Sequence, residues 1–272
     1  MPAKWLICPD GEKIEIAECL SYRGCRLKDR CAPMAYLRSI AYDRGWCGIT
    51  ASMAGNGPRL IYLKRVTDYA IRPDDRAFAV LGVKSHAWLA RESVTNNVLS
   101  EEVTEHGRPD CLEDDEYGPG YYILIDYKTF GSYKVAMVLG LQKNDHKEFV
   151  VNPDAVDMYD IELQLNRYRM DFEAQGLKIS KMYVYAIIRD GNTYIAKSRG
   201  IVTNTRKIQI KRLPDKQVQD YYTLLESSVE MAMKTGYIYR CNEWESWDGK
   251  RCSGFCEVSE ACQKMDAIKR ED

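Results

Sequence analysis

The sequence predicts an α/β protein with a central mixed sheet flanked by helices and a cysteine-rich segment at each end. Three observations lead there. Two short apolar runs, Tyr121–Tyr127 (YYILIDY) and Met182–Arg189 (MYVYAIIR), have the length and β-branched, aromatic character of buried strands. Longer segments with helical spacing alternate with them, the pattern of layered α/β domains. Eight of the ten cysteines lie in the first 31 and last 32 residues, outside that alternating middle.

The elements follow in order. Pro33–Arg44 starts as a helix, with Met34, Leu37, Ile40 and Ala41 at helical spacing. Pro58–Val66 is a second helix with proline in its first turn. Ala77–Arg91 is a third and carries His86. Glu101–Cys111 has strand character and runs through Asp110. Gly118-Pro119-Gly120 turns into the Tyr121–Tyr127 strand. Asp160–Gln175 is an amphipathic helix stopped by Gly176. After Met182–Arg189, the Asp190-Gly191-Asn192 turn predicts that Thr193–Ser198 returns as a hairpin strand. Ile208–Leu213 adds a strand, and Gln217–Lys234 is a long helix. Three zones result: a head at 1–35, an α/β middle at 36–235 and a tail at 236–272.

A chain of 272 residues, 45% hydrophobic and 29% charged, has the composition of a folded globular protein. No apolar run approaches the ~20 residues that span a bilayer. Met1–Ile7 is too short and too soon interrupted for a secretory signal, so a cytoplasmic location is expected. The formal net charge of −1 argues against nucleic-acid binding by bulk charge alone and makes the local distribution of charge decisive.

Chemistry concentrates around Asp126-Tyr127-Lys128-Thr129. Residues two apart on a strand share a face. Asp126 can thus hold a divalent cation, with Lys128 beside its water or a scissile phosphate and the Tyr127 carbonyl as a further hard ligand. Alone, such a D-x-K triplet is more often an ordinary surface pair. Gly107-Arg108-Pro109-Asp110 brings a second carboxylate on a turn, otherwise readable as a simple Asx turn. His86, within Gly82–His86, adds an imidazole that by itself would be a helix-surface residue. Gln164 and Tyr168 share one helix face and can hydrogen-bond phosphate or bases, with Tyr168 able to stack; a face packed on the sheet is the plainer alternative.

Taken in order, GxxxH, GxxD, (D/E)xK-T and QxxxY, these segments resemble the RecB-like branch of the PD-(D/E)xK nucleases over about residues 50–200. Gly57–Leu63 (GPRLIYL) is also similar to the CPR…YL helix of the CRISPR-associated iron–sulfur members, with glycine where they have cysteine. The resemblance implies a restriction-endonuclease-like core and a metal-dependent DNA nuclease acting on ends or single strands. Its settings would be recombination, repair, phage replication or CRISPR-type spacer processing. It implies Mg²⁺ or Mn²⁺ on His86, Asp110, Asp126 and the Tyr127 carbonyl, Lys128 at the attacking water, and Gln164 and Tyr168 positioning the strand. The alternative is a catalytically silent nucleic-acid-binding or assembly module, for which Asp110, Asp126 and Lys128 would have no use.

The head cysteines, Cys8, Cys19, Cys25 and Cys31, have gaps of 10, 5 and 5 residues. The tail cysteines, Cys241, Cys252, Cys256 and Cys262, have gaps of 10, 3 and 5. Both are four-thiolate patterns in short polar segments that bury little apolar area and need a metal to fold. Structural Zn²⁺ is the preferred occupant and a 4Fe–4S cluster the alternative. The resembling iron–sulfur proteins use one early cysteine and a late triplet; here Gly57 interrupts that layout, leaving Cys241 or a head cysteine as the fourth ligand. Cys47 and Cys111 read as packing residues. Finally, Arg199, Arg206, Lys207, Lys211 and Arg212 form a basic stretch that can contact phosphate or guard a strand edge.

Overall fold

The computed structural model describes residues 3–21, 24–27, 29–42, 45–92, 98–100 and 103–268. In chain order the strands are β1 (Trp5–Ile7), β2 (Lys13–Glu15), β3 (Ala70–Ile71), β4 (Val98–Ser100), β5 (Cys111–Asp114), β6 (Tyr122–Phe130), β7 (Leu141–Lys143), β8 (Phe149–Val151), β9 (Ile179–Ile188) and β10 (Thr205–Gln209). The helices are α1 (Ile16–Cys19), α2 (Met34–Ala41), α3 (Pro58–Val66), α4 (Ala77–Glu92), α5 (Ser132–Val138), α6 (Tyr159–Ala174), α7 (Tyr194–Lys197), α8 (Asp215–Thr235), α9 (Glu243–Ser246), α10 (Lys250–Gly254) and α11 (Ser259–Ile268).

The chain divides into two compact units. One comprises Met1–Ile49, Gly55–Val80 and Asp220–Asp272; the other comprises Thr50–Ala54 and Leu81–Gln219. The head and tail expected as separate segments therefore share a unit, together with three stretches assigned to the middle from sequence, 36–49, 55–80 and 220–235. The physical reason is long-range packing that periodicity does not reveal. Leu60, Tyr62 and Leu63 of α3 share a buried cluster with Ala232, Ile238 and Val258. Arg59 of the same helix is 1% exposed. It pairs with Asp266 at 2.8 Å and donates to the carbonyl of Cys262 at 2.6 Å, tying α3 to α11. The head adds a small sheet of order β2-β1-β3, in which Leu6 stands opposite Ile14 and Ile71 and packs with Leu37 and Ile40 of α2.

The other unit is built on a five-stranded sheet of order β10-β9-β6-β5-β4. β6 and β9 are parallel, and the remaining pairs are antiparallel. Mixed α/β architecture with helices against the sheet is thus as predicted. On β9, Met182, Val184, Ala186 and Ile188 alternate inward. Ile161, Leu165, Tyr168 and Phe172, spaced as one face of α6, complete that core. Arg169 is fully buried and is held by Glu173 at 2.7 Å and Asp215 at 2.6 Å.

Local expectations fail in three places, the first being the strand expected at Ile208–Leu213, which is β10 (Thr205–Gln209) and ends before Ile210. Thr193–Ser198 is not a strand. The Thr193 side chain accepts the Ala196 N–H and caps α7, and the antiparallel return to β9 comes later, as β10. Asp110 likewise precedes β5 rather than lying within a strand; a Thr104–Gly107 bridge turns the chain just before it, while residues 101–102 fall outside the described residues. Among the described residues no helix is long and apolar enough to cross a membrane.

Candidate active site

Asp126 and Lys128 project from the same face of β6, and the intervening Tyr127 faces away, its ring edge-on to Tyr185 of β9 at 6.4 Å. Asp126 is 3% exposed. The Lys128 ammonium lies 2.8 Å from Asp126 Oδ2 and donates to Gln164 Oε1 at 3.1 Å. Gln164 Nε2 donates in turn to Asp126 Oδ1 at 3.3 Å. One amide from α6 thus serves both charged groups, its oxygen toward the cation and its nitrogen toward the anion. Burial pushes the Asp126 carboxyl above its usual range, opposed by Lys128 and assisted by Asp110. Burial alone would lower Lys128, but Asp126 beside it holds the ammonium above its ordinary value.

Asp110 reaches this pair from the loop before β5. Its Oδ2 accepts the Tyr127 backbone N–H at 2.7 Å, and its Oδ1 lies 2.9 Å from His86 Nδ1 of α4. The hydrogen bond to Asp110 raises the His86 pKa against the opposing effect of burial. Two glycines make the approach possible. Gly107 has φ +140°, and a β-carbon there would meet the Tyr168 hydroxyl at 3.1 Å. A β-carbon on Gly82 would touch the Thr129 hydroxyl at 3.4 Å. Each glycine leaves room for a residue of another motif.

His86, Asp110, Asp126, Lys128 and Gln164 are therefore brought together. Tyr168 is adjacent but only 3% exposed. Its hydroxyl lies against Gly107, and burial raises its pKa. Stacking on a base, one of its expected roles, is closed to it. The reason is that Tyr168 shares the core face of α6 with Leu165 and Phe172.

Sequence reading missed a second cluster beside this one. His106 Nδ1 lies 2.7 Å from Asp171 Oδ1, and Asp171 Oδ2 accepts the His106 backbone N–H at 3.2 Å. Arg167 donates to the other ring nitrogen. Glu105, His106 and Asp171 place donor atoms within 4.8 Å of one another, close enough for a cation on distance alone. Both ring nitrogens are already engaged, however, and a guanidinium stands on one side, so the arrangement works as a brace for the turn leading to Asp110. The signal lay in the sequence: Gln164, Arg167, Tyr168 and Asp171 are spaced i, i+3, i+4 and i+7, and His106 directly precedes Gly107.

All ten cysteines are free thiols. In the head, Cys8 follows β1 and Cys19 ends α1; both are buried, and Cys25 is half-buried. Burial and the nearby Cys25, Cys31 and Cys8 raise the Cys19 thiol, and Arg30 opposes them. Burial, Cys8 and Cys25 likewise raise Cys31. In the tail, burial, then Glu245, then Cys262 and Cys252 push Cys241 up to about 11. Cys262 is raised by burial, with Arg59 opposing and Cys256 among its neighbours. Among the described residues no three of these sulfurs lie within 4.8 Å of one another, so neither expected four-thiolate site is assembled. Cys111, 1% exposed, has its thiol pushed up to about 12 by burial, as a packing residue should. Cys47 is exposed, so the packing role expected of it fails.

The basic stretch does not join the catalytic constellation. Arg206 and Lys207 sit exposed on the edge strand β10, and Lys207 lies over the Tyr183 ring at 4.0 Å. Arg199 donates to Ser132, and Arg212 is bound to Glu173 at 2.8 Å. Lys211 uses its carbonyl to hold Asn166 at 2.8 Å.

The donor set of His86, Asp110 and Asp126 suits a hard divalent cation. Asp126 Oδ2 is buried and faces the Lys128 ammonium at 2.8 Å, so a cation there would share this oxygen with Lys128. No family model matches the chain, and no curated protein matches it. Among solved structures, the chain is similar to that of SSO0001, at 15% identity over 85% of this chain and 92% of that one, with a TM-score of 0.45.

Proposed function

We propose that this chain is a divalent-metal-dependent nuclease that hydrolyses DNA phosphodiester bonds as an exonuclease or end-processing enzyme. The observation that carries the reading is the joint placement of Asp126, Lys128 and Gln164 in one hydrogen-bonded set, with Asp110 anchored beside it by the Tyr127 N–H and His86. His86, Asp110, Asp126 and the Tyr127 carbonyl would hold Mg²⁺ or Mn²⁺, which when bound supplies an activated water and neutralises phosphate charge. Separate elements fix the two carboxylates, Asp126 on β6 beside Lys128 and Gln164, and Asp110 on the loop before β5 beside His86 and the Tyr127 N–H. Lys128 keeps a positive charge where the phosphorane charge develops. Gln164 holds that ammonium and the Asp126 carboxylate in register. Single-stranded DNA or DNA ends are the substrates the family resemblance implies.

The test is direct. Purified protein is incubated with labelled single- and double-stranded DNA and Mg²⁺ or Mn²⁺, beside Asp126→Ala and Lys128→Ala. Cleavage by wild type alone supports the reading. Equal products from all three proteins overturn it.

A further inference from the structure

β6 and β9 run parallel and stop together, and the chain leaves them into the short helices α5 and α7. We infer that this end of the sheet is a stacking platform for a single-stranded polynucleotide, built on Tyr133 and Tyr194 with Arg189, Lys197 and Arg199 as its cations. The platform rests on the nuclease reading for the choice of polymer and on its own geometry for the contacts. α7 is a single turn whose buried side chain is Ala196. The Thr193 hydroxyl caps it by accepting the Ala196 N–H, which leaves Tyr194 87% and Ile195 56% exposed. Tyr133, on the first turn of α5, is 55% exposed. Hydrogen bonds tie the two turns together. Asp190 accepts the Ser132 N–H and hydroxyl at 2.6 Å each, and its carbonyl accepts the Thr193 N–H at 3.3 Å and hydroxyl at 2.7 Å. Both rings therefore stand in water on one braced end of the sheet.

Charge selects the partner. Residues 189–207 carry five lysines and arginines against one carboxylate, Asp190. That carboxylate is already engaged by Ser132, with Arg199 at 3.7 Å. Arg199 also lies over the Tyr133 ring at 5.7 Å, so ring and cation form one surface. Lys197 is exposed on α7, and the exposed Arg189 brings its guanidinium to 3.4 Å from where a β-carbon on Gly131 would stand. Rings interleaved with cations match the bases and phosphates of a single strand. A duplex keeps its base faces inside its own stack and gains nothing from the rings. The platform lies on the same sheet face as the candidate active site. Lys128 stands opposite Ala186, and Ala186 packs in one cluster with Val135 of α5 and Ala196 of α7. Beyond Lys128, β6 continues only to Phe130, about 7 Å further, before α5 begins. A strand with a phosphate at Lys128 thus runs onto this end of the sheet without rounding an edge.

The experiment is fluorescence anisotropy of the full chain, in EDTA so that nothing is cut, with labelled oligo(dT), oligo(rU) and a blunt DNA duplex. Wild type is compared with Tyr194→Ala, Tyr133→Ala, Lys197→Ala, Asp126→Ala and Tyr117→Ala, the last a 90% exposed tyrosine between β5 and β6. Tyr194→Ala and Tyr133→Ala should each weaken single-strand binding by roughly 5–100-fold, the loss of one stacked base. Lys197→Ala should flatten the slope of log affinity against log salt by about 0.7, one phosphate contact on a single strand. Asp126→Ala and Tyr117→Ala should bind no more weakly than wild type, and the tighter of oligo(dT) and oligo(rU) identifies the sugar the platform takes. Wild type that binds no single strand, wild type that prefers the duplex, or unchanged binding in both Tyr194→Ala and Tyr133→Ala overturns the platform. Binding through these tyrosines by a protein that cuts no DNA with Mg²⁺ or Mn²⁺ removes the nuclease reading alone. Cutting by a protein whose binding ignores them removes the platform alone.

Discussion

Cys241 places its sulfur in the space that a side chain at position 57 would fill, so that a β-carbon on Gly57 would overlap it. Gly57 precedes Pro58-Arg59 at the start of α3, the place where the resembling iron–sulfur proteins carry cysteine. Sulfur is present there, brought from a distant part of the chain, and Cys256 and Cys262 pack against the same buried cluster as Cys241. The backbone at Gly57 has φ −62° and ψ 145°, which any residue adopts, so glycine is required there by space alone.

A steric clash should therefore be separable by a double-mutant cycle. Gly57→Ala is expected to destabilise the protein by about 1–3 kcal/mol, the usual cost of forcing extra volume into a packed site. Combining it with Cys241→Ala should cost less than the sum of the single changes, because the second substitution removes the closest atom from the contested space and leaves Glu245 Oε2 at 2.8 Å. Denaturant midpoints of the four proteins measure this. A Gly57→Ala protein as stable as wild type would show that the close approach does not exist in solution.

Gln164 makes no contact that requires substrate, yet it bonds both charged groups of the D-x-K triplet. Gln164→Ala should leave the protein folded and reduce single-turnover cleavage with Mn²⁺ by roughly 10–100-fold, the usual effect of removing a partner that orients metal ligands. Gln164→Glu should be worse than Gln164→Ala. It would set a third carboxylate against Asp126 and neutralise Lys128. Comparable rates for all three proteins would exclude this positioning role.

Much of the candidate site was legible because strand periodicity is local. Two residues apart on β6 puts Asp126 and Lys128 on one face whatever the surrounding fold, and four apart on α6 does the same for Gln164 and Tyr168. What could not be read is how deep each residue sits. Tyr168 looked able to stack on a base and is instead core, because the stripe containing Leu165 and Phe172 passes through it. The His106–Asp171 pair escaped notice because neither residue belongs to a motif, and their contact bridges a loop and a helix. The division into units was illegible for a related reason: α3 finds its partners in the tail, and that pairing depends on packing rather than on spacing.

Asp171 holds His106 twice, through the ring and through the backbone N–H. Asparagine can match only one of these bonds, since its amide NH₂ would face a donor where Asp171 presents an acceptor. Asp171→Asn is expected to cost about 1–3 kcal/mol, the range for leaving a buried polar group mismatched. The loss should concentrate on the turn that carries Asp110, so hydrogen exchange should accelerate at residues 104–110 more than in β9. Uniform exchange across both segments would mean that the pair stabilises the unit without bracing this loop.

The last prediction concerns acid stability and reassigns Arg199. Asp190 accepts the backbone N–H and the hydroxyl of Ser132, each at 2.6 Å, and Arg199 donates to the same Ser132 hydroxyl at 2.9 Å. Ser132 is fully buried at the start of α5. The Ser132 hydroxyl is the main cause that holds Asp190 below its ordinary value of 3.8, with the Ser132 N–H and Arg199 assisting against partial burial. A carboxyl lowered in the folded state binds protons more weakly there than in the unfolded chain. Its contribution is therefore complete above the unfolded value and disappears as pH falls through the folded one. Asp190→Asn should be less stable than wild type at neutral pH by about 1 kcal/mol, a figure reduced for the carboxylate's partial exposure to solvent. That gap should narrow as pH falls below 3.8, where the wild-type carboxyl also becomes neutral. Thermal melts of both proteins across this range decide it. A gap that stays constant with pH would mean that shape, and not charge, is what Asp190 contributes at Ser132.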